Sequence, residues 1–157
     1  MNILVLCTGN SARSILLETI LNARGAGRVR AYSAGSSPAG AVHPQSYKLL
    51  EELDYDTSHA RSKSWDEFAT SDAPEMDMVI TVCASAAGET CPFWPGAPLR
   101  AHWGVDDPAA APEDQWEEAF RTSYDLLDKK AEALLKHPIE TMEPGELKAT
   151  LDRIGRT

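Results

Sequence analysis

The N-terminal segment constrains the fold more than any other part of the sequence. Residues 3–6 form a continuous apolar run that ends at Cys7, which is typical of a strand buried on both faces of a parallel sheet. After a turn over residues 8–11, apolar side chains recur at helical spacing at Leu16, Leu17, Ile20 and Leu21. Glycines at positions 25 and 27 end this amphipathic helix. The segment therefore predicts a strand, a tight loop and a helix in succession.

The rest of the chain continues this alternation. We expect strands at residues 29–32, closed by Ser33, Ala34 and Gly35, and at residues 77–82 and 99–103. We expect helices at 44–53, at 116–135 and around 147–154, with surface loops over 84–98 and 104–112. Alternating strands and helices predict a three-layer αβα sandwich, with residues 1–157 as one domain.

The composition of the chain limits which binding partners and which cellular compartment we expect. A chain of 157 residues with 43% hydrophobic residues can bury one core without structural metals or disulfides. A net charge of -9 argues against nucleic acid and anionic membranes as partners. The N-terminus has no basic start, no cleavage site and no membrane-spanning length. Three cysteines are too few for a secreted disulfide framework, so we expect a cytoplasmic protein with chemically available thiols.

Three candidate chemical groups follow predicted strands. Cys7 and Cys83 each come directly after a strand, and Asp107 lies in the loop after the last one. In parallel sheets of this kind, ligands bind outside the carboxyl ends of the strands. We therefore expect these groups to converge, although they are distant in sequence.

The sequence CTGNSARS has the properties of an anion-binding loop. Gly9 and Asn10 tolerate the left-handed backbone region, so the turn can point successive N–H groups inward. A helix beginning near Ala12 adds its positive end, and Arg13 offers a planar fork of donors to a tetrahedral oxyanion. The same field favours a Cys7 thiolate, to which Ser14 can donate a hydrogen bond. The alternative is that Cys7 is only a small buried residue and Arg13 only a surface charge.

These residues resemble a known family. VLCTGNSARS is similar to the phosphate-binding loop of low-molecular-weight protein tyrosine phosphatases and of the arsenate reductases built on the same fold, and YSAGS at residues 32–36 fits as well. The resemblance implies a four-stranded parallel sheet with flavodoxin-like winding and Cys7 as nucleophile. It implies Asp107, which precedes Pro108, as general acid, with Asp106 as the nearest rival. The implied oxyanion site comprises Thr8, Gly9, Asn10, Ser11, Ala12, Arg13 and Ser14.

The other two cysteines favour the reductase branch. A phosphatase needs one nucleophilic sulfur, whereas reduction of arsenate needs a second thiol that reaches the first. Cys83 and Cys91 are similar to the resolving pair of thioredoxin-coupled arsenate reductases, and Ala109 follows the Asp-Pro pair where phosphatases carry an aromatic residue. The resemblance thus implies arsenate as substrate, phosphate or sulfate as competitors, and an external dithiol donor, thioredoxin or glutaredoxin with glutathione. It implies no tightly bound cofactor.

Other interpretations of the thiols remain open. Cys83 can be an inert core residue, since free cysteine is often buried. A zinc site lacks support because Cys83 and Cys91 are widely spaced and the four histidines show no paired ligand spacing. The chain can also be a phosphatase for small or tyrosine phosphates, or a non-catalytic oxyanion or redox sensor that signals through the same disulfide.

One position departs from the family pattern. Some members bind potassium near the phosphate loop, and Asn10, Glu18 and Ser33 match three of its ligands. Lys63 stands where the fourth ligand, an aspartate, is expected. Either its ammonium replaces the ion, or Lys63 is a solvated surface charge.

Overall fold

Four parallel strands form the central sheet of the computed structural model, which describes residues 1–83 and 98–157. The strands are β1 (Asn2–Cys7), β2 (Arg30–Gly35), β3 (Met78–Thr81) and β4 (Leu99–His102), in the order β2-β1-β3-β4. β1 lies inside the sheet between β2 and β3, and residues 3–6 are almost completely buried. This position explains the continuous apolar run, because a strand covered on both faces has no polar face.

Among the described residues, four helices accompany the sheet: α1 (Arg13–Arg24), α2 (Pro44–Glu52), α3 (Trp116–Leu135) and α4 (Pro144–Gly155). The long helix α3 packs against the other three. Its buried face carries Phe120, Tyr124, Leu127, Ala131 and Leu134. The predicted αβα sandwich with a four-stranded parallel sheet is confirmed. Within the described ranges, no helix combines the length and apolarity needed to cross a membrane.

Several predicted boundaries were wrong. β2 runs to Gly35 instead of ending at Tyr32, because its pairing with β1 continues as far as Cys7 opposite Gly35. The predicted loop at 104–112 contains a short 3-10 turn, Pro108–Ala110, and two further 3-10 turns lie at Trp65–Phe68 and Glu113–Gln115. The end of α3 buries Leu134 instead of Leu135, since the true helical period brings that position inward. The predicted loop at 84–98 lies almost entirely outside the described residues.

The strand order creates the crevice in which ligands bind. From β1 the chain goes first to β2 on one side and then to β3 on the other, so the connections diverge at the carboxyl ends of β1 and β3. Cys7 is the last residue of β1, and Cys83 follows β3 by two residues. The sheet therefore delivers both cysteines to this crevice.

Candidate functional site

The loop between β1 and α1 closes around the sulfur of Cys7. Cys7 is only 4% exposed, and its Sγ accepts a hydrogen bond from the backbone N–H of Asn10 at 3.2 Å. The hydroxyl of Ser14 lies 3.0 Å from the same sulfur. The backbone N–H of Asn10 and the hydroxyl of Ser14 therefore both face this sulfur, close to the start of α1. The geometry supports a nucleophilic Cys7 over an inert buried one.

Backbone geometry turns the N–H groups of this loop inward. Its carbonyl oxygens at Thr8, Gly9 and Ser11 accept hydrogen bonds from the N–H groups of Ser37, Ala39 and His43, at 3.0, 2.9 and 3.0 Å. In a trans peptide the C=O and N–H point in opposite directions, so bonding the carbonyls outward directs the N–H groups toward the anion position. The Asn10 N–H, which points at Cys7, is a direct example. This arrangement of carbonyl and N–H groups is the one that an anion nest requires.

Asn10 organises the loop through both its backbone and its side chain. Its φ of 47° is left-handed, whereas Gly9, the other candidate for that conformation, does not adopt positive φ. The buried Asn10 amide donates to Ser14 Oγ at 2.8 Å and to Ser33 Oγ at 3.0 Å. Because Ser14 accepts from Asn10, its own hydroxyl proton is free to point at Cys7.

Gly35 is a site residue that sequence reasoning missed. A Cβ at this position would collide with the carbonyl oxygen of Thr8 and lie 3.1 Å from the Cβ of Asn10. Only glycine therefore lets β2 approach the loop this closely. Its place at the end of a β-strand was the available signal, but in the sequence it resembles an ordinary strand stop.

Arg13 and Asp107 meet beside the loop. The Arg13 guanidinium donates to the carbonyl of Val105 at 2.9 Å and lies 3.8 Å from Asp107 Oδ2. The side chain of Asp107 is 45% exposed, and one oxygen accepts from the N–H of Ala109 at 3.0 Å. The turn after β4 thus fixes Asp107 next to the arginine and leaves it open to a ligand. Asp106, the other candidate for the acid, is held through its backbone, since its carbonyl accepts a hydrogen bond from the hydroxyl of Ser123.

Cys83 lies against the same loop. It is 4% exposed, and its Sγ is 3.4 Å from the hydroxyl of Thr8. The β1–β3 register pairs Leu6 with Thr81, so its continuation brings Cys83 beside Thr8. Cys83 therefore lies at the same end of the sheet as Cys7, next to the residue that follows Cys7 in the chain. Cys91 lies outside the described residues.

Lys63 is not a solvated surface charge. It is 7% exposed, and its ammonium donates to the carbonyl of Arg61 at 3.0 Å, to Ser33 Oγ at 3.4 Å and to Asn10 Oδ1 at 3.5 Å. The backbone N–H of Lys63 also donates to Asn10 Oδ1 at 3.0 Å. Lys63 therefore fixes the orientation of the amide that serves Ser14.

Glu18 supplies the negative charge of this buried cluster. It is 5% exposed, and its Oε2 accepts no hydrogen bond from the described residues but lies 3.5 Å from His59 Nε2. Burial raises the pKa of Glu18, while the positive charge of Lys63 opposes that rise. Burial in turn lowers the pKa of Lys63, and Glu18 opposes that change. Each charge is tolerated because the other is present. Among the described residues, no group of three or more His, Cys, Asp or Glu side chains could hold a metal.

Similarity to known proteins identifies the family of this chain. The family model for low molecular weight phosphotyrosine protein phosphatase matches residues 2–144. An arsenate reductase of Halalkalibacterium halodurans is 37% identical over 128 residues, covering 80% of this chain and 88% of that protein. A thioredoxin-dependent arsenate reductase of Corynebacterium glutamicum is 28% identical with a TM-score of 0.62, over 86% of this chain and 60% of the other.

A further solved structure, an arsenate reductase in the phosphate binding state, is 28% identical with a TM-score of 0.68, over 86% of this chain and 96% of the other. The residues matched by the family model, 2–144, include the Cys7 loop and all four strands of the sheet. The chain belongs to the low molecular weight phosphotyrosine protein phosphatase family, in the branch of its arsenate reductase relatives.

Proposed function

We propose that this protein is an arsenate reductase in which Cys7 attacks the oxyanion and Cys83 and Cys91 carry away the oxidising equivalents. The observation that carries the proposal is a second buried thiol, Cys83, whose sulfur lies 3.4 Å from the hydroxyl of Thr8, the residue after the nucleophile. Phosphate-ester hydrolysis has no use for such a thiol, whereas reduction requires one. The 37% identical relative that is an arsenate reductase supports the same choice.

The first step forms a sulfur–arsenic bond. Arsenate sits in the nest of loop N–H groups, with the guanidinium of Arg13 facing its oxygens. The Cys7 thiolate attacks the pentavalent arsenic, and Asp107 gives a proton to the departing oxygen, which leaves as water. The 3.8 Å contact between Arg13 and Asp107 supports this division of roles, since it keeps the acid at the edge of the nest.

The second step transfers the electrons. The Cys83 thiolate attacks the Cys7 sulfur, the sulfur–arsenic bond breaks, and its electron pair stays on arsenic, which leaves as arsenite. The product on the protein is a Cys7–Cys83 disulfide, so two thiolates have been oxidised as one arsenic atom has been reduced. The hydroxyl of Thr8 can donate to the Cys83 sulfur, which stabilises the attacking thiolate.

Regeneration moves the disulfide away from the nest. Cys91 attacks Cys83, releases Cys7, and leaves a Cys83–Cys91 disulfide for an external dithiol protein to reduce. The structural neighbour from Corynebacterium glutamicum, which is thioredoxin-dependent, supports a thioredoxin-type donor. Such a cycle requires a reducing compartment, so we place the enzyme in the cytoplasm. We also propose that residues 1–157 form a single domain. Phosphate and sulfate would compete for the nest.

An NADPH-coupled assay with thioredoxin, thioredoxin reductase and arsenate tests the proposal. We expect repeated turnover for the unaltered protein and a single turnover for Cys91→Ser, because the first disulfide still forms but is not passed on. Cys83→Ser should release no arsenite. Multiple turnover by Cys83→Ser would refute the relay.

The main alternative is phosphatase activity, because the family model carries that name and Cys7, Arg13 and Asp107 suffice for hydrolysis through a phosphocysteine. Hydrolysis of a phosphate monoester at undiminished rate after replacing Cys83 and Cys91 by serine, without arsenate reduction in the unaltered protein, would favour it. Absence of both activities would favour the sensor.

A further inference from the structure

Helix α2 begins at the oxyanion loop, and His43 forms the junction. Its backbone N–H donates to the carbonyl of Ser11 at 3.0 Å, which is one of the bonds that hold the carbonyl groups of the loop outward. Its side chain is the N-cap of α2, with Nδ1 accepting from the N–H of Gln45 at 3.0 Å. An imidazole that accepts at Nδ1 is neutral and carries its proton on Nε2.

The same imidazole contacts the structure that holds the proposed acid. Its ring lies edge-on to Trp116, with centroids 4.5 Å apart and an interplanar angle of 83°, and 4.8 Å from the ring of Phe120. The indole N–H of Trp116 donates to the carbonyl of Ala111 at 2.8 Å. Ala111 ends the short turn that Asp107 begins. A continuous set of contacts therefore runs from the oxyanion loop through His43 to the turn of Asp107.

We propose that His43 is a positioning residue that holds the oxyanion loop and the turn of Asp107 in register, and that it does so only as a neutral imidazole. This inference rests on the proposed function, since it concerns delivery of a proton to an oxyanion held by the loop. Protonation places a hydrogen on Nδ1, facing the N–H of Gln45. Two donors then meet, the cap of α2 is lost, and the first turn of the helix loosens its hold on Ser11.

Burial favours the neutral form of His43, and the charged groups near it oppose this effect only in part. From the acid's turn, Asp107 attracts a proton to it, but Asp107 is itself paired with Arg13 at 3.8 Å. The neighbouring rings of Trp116 and Phe120 on α3 are uncharged. Three acidic residues near the start of α3 line a groove together with Leu49, Glu52 and Arg121. They are Asp114, Glu117 and Glu118. Burial is the larger effect and lowers the pKa of His43 below its ordinary value of 6.5.

Two substitutions separate the roles of the ring. Asn is a good N-cap that does not titrate, so His43→Asn keeps the bond to Gln45 at every pH. His43→Phe keeps the aromatic contact but has no acceptor. We expect the ratio of kcat/KM for His43→Asn to that of the unaltered enzyme, measured with arsenate, to rise roughly fivefold from about pH 8 to about pH 5.5. His43→Phe should lower kcat more than it raises KM at both pH values.

Sulfate binding, measured by calorimetry, reports on the geometry of the oxyanion loop in the absence of turnover. Sulfate itself does not change its protonation between about pH 5.5 and about pH 8. We expect the sulfate affinity ratio of His43→Asn to unaltered protein to rise in the same way. A rise in that ratio without arsenate turnover in the unaltered protein would reject the proposed function and keep the role of His43. Parallel pH profiles for the two proteins in both assays would overturn the inference.

A measurement on the unaltered protein guards against a folding defect in the variants. Proton NMR should show one histidine, absent from the His43→Asn spectrum, with a midpoint below 6.5. Asp107→Asn should lower that midpoint further, because the attraction of Asp107 for the proton is removed. A midpoint above 6.5, or one indifferent to Asp107, would also overturn the inference.

Discussion

Replacing Lys63 by methionine should destabilise the protein strongly, because it removes a buried ammonium that partly compensates for the burial of Glu18. The Lys63 ammonium donates to three oxygens, and it opposes the desolvation of Glu18, which is 5% exposed. Breaking one side of a buried pair costs about 3–5 kcal/mol. Lys63 acts on Glu18 through its charge and not through an ion pair, and His59 still lies 3.5 Å from Glu18, so we expect the lower end of this range, a loss of about 3 kcal/mol. For a chain of this length that loss lowers Tm by about 6–12 °C.

The pH dependence has a defined sign. Glu18 is a buried acid whose pKa is raised in the folded state, and losing Lys63 raises it further. The penalty of Lys63→Met is therefore greatest at neutral and alkaline pH and shrinks as Glu18 becomes protonated on acidification. Calorimetric Tm values at about pH 8 and about pH 5 test this expectation. The matched control is Lys136→Met, since Lys136 has a side chain 72% exposed and a surface pair with Glu132, worth at most about 1 kcal/mol.

The variant Lys63→Ala tests whether the Lys63 ammonium stands in the place of a potassium ion. Potassium should restore part of the lost Tm in that variant, where oxygens of Asn10, Ser33 and Glu18 remain, while the unaltered protein should be indifferent to potassium over sodium. Equal Tm losses for Lys63→Met and Lys136→Met would refute the reasoning, as would a rise in the Tm of the unaltered protein on adding potassium.

Three further predictions concern the chemistry. Ser14→Ala should lower kcat/KM for arsenate about tenfold, as expected for losing a hydrogen bond to a charged sulfur, and should slow alkylation of Cys7 by iodoacetamide; unchanged alkylation would contradict it. Asp107→Asn should lower kcat by about 10²–10⁴-fold while leaving sulfate affinity intact or higher, because only the proton donor is lost; a loss confined to sulfate affinity would contradict it. Thr8→Val should slow formation of the Cys7–Cys83 disulfide in a single-turnover quench about fivefold, since it removes one hydrogen bond to Cys83; an unaltered rate would refute that role.

Secondary structure could be predicted from the sequence wherever local signals within one segment determine it. The buried run of β1, the loop after it and the amphipathic helix α1 were all predicted, because apolar periodicity and turn residues are local signals. The predicted β2 ended too early because the small residues Ser33, Ala34 and Gly35 resemble a turn in the sequence. They are in fact buried, where small side chains let the strand lie against the oxyanion loop.

Contacts between distant segments could not be predicted. Nothing local to Lys63 distinguishes a buried ammonium from a surface charge; its burial depends on Ser33 and Asn10, which approach from other parts of the chain. The hydroxyl of Thr8 and the sulfur of Cys83 are 75 residues apart, and their contact follows only from the register of β1 and β3. The placement of Cys7 and Cys83 after neighbouring strands of the sheet was predictable from topology, but the hydrogen bonds of their sulfurs were not.

The oxyanion loop must satisfy two opposing requirements, and the connection from β2 to α2 resolves them. Its N–H groups must converge on an anion, yet each carbonyl turned outward needs a donor of its own. Residues 36–43 supply those donors through backbone N–H groups, and Ser46 adds a hydroxyl to the carbonyl of Ser11 at 2.9 Å. This arrangement requires β2 to pair with β1 as far as Cys7, because that pairing brings the N–H of Ser36 to the Cys7 carbonyl at 3.3 Å. Residues 36–43 therefore support the loop of the proposed reaction site from outside, and substitutions there would act on the anion through the loop backbone.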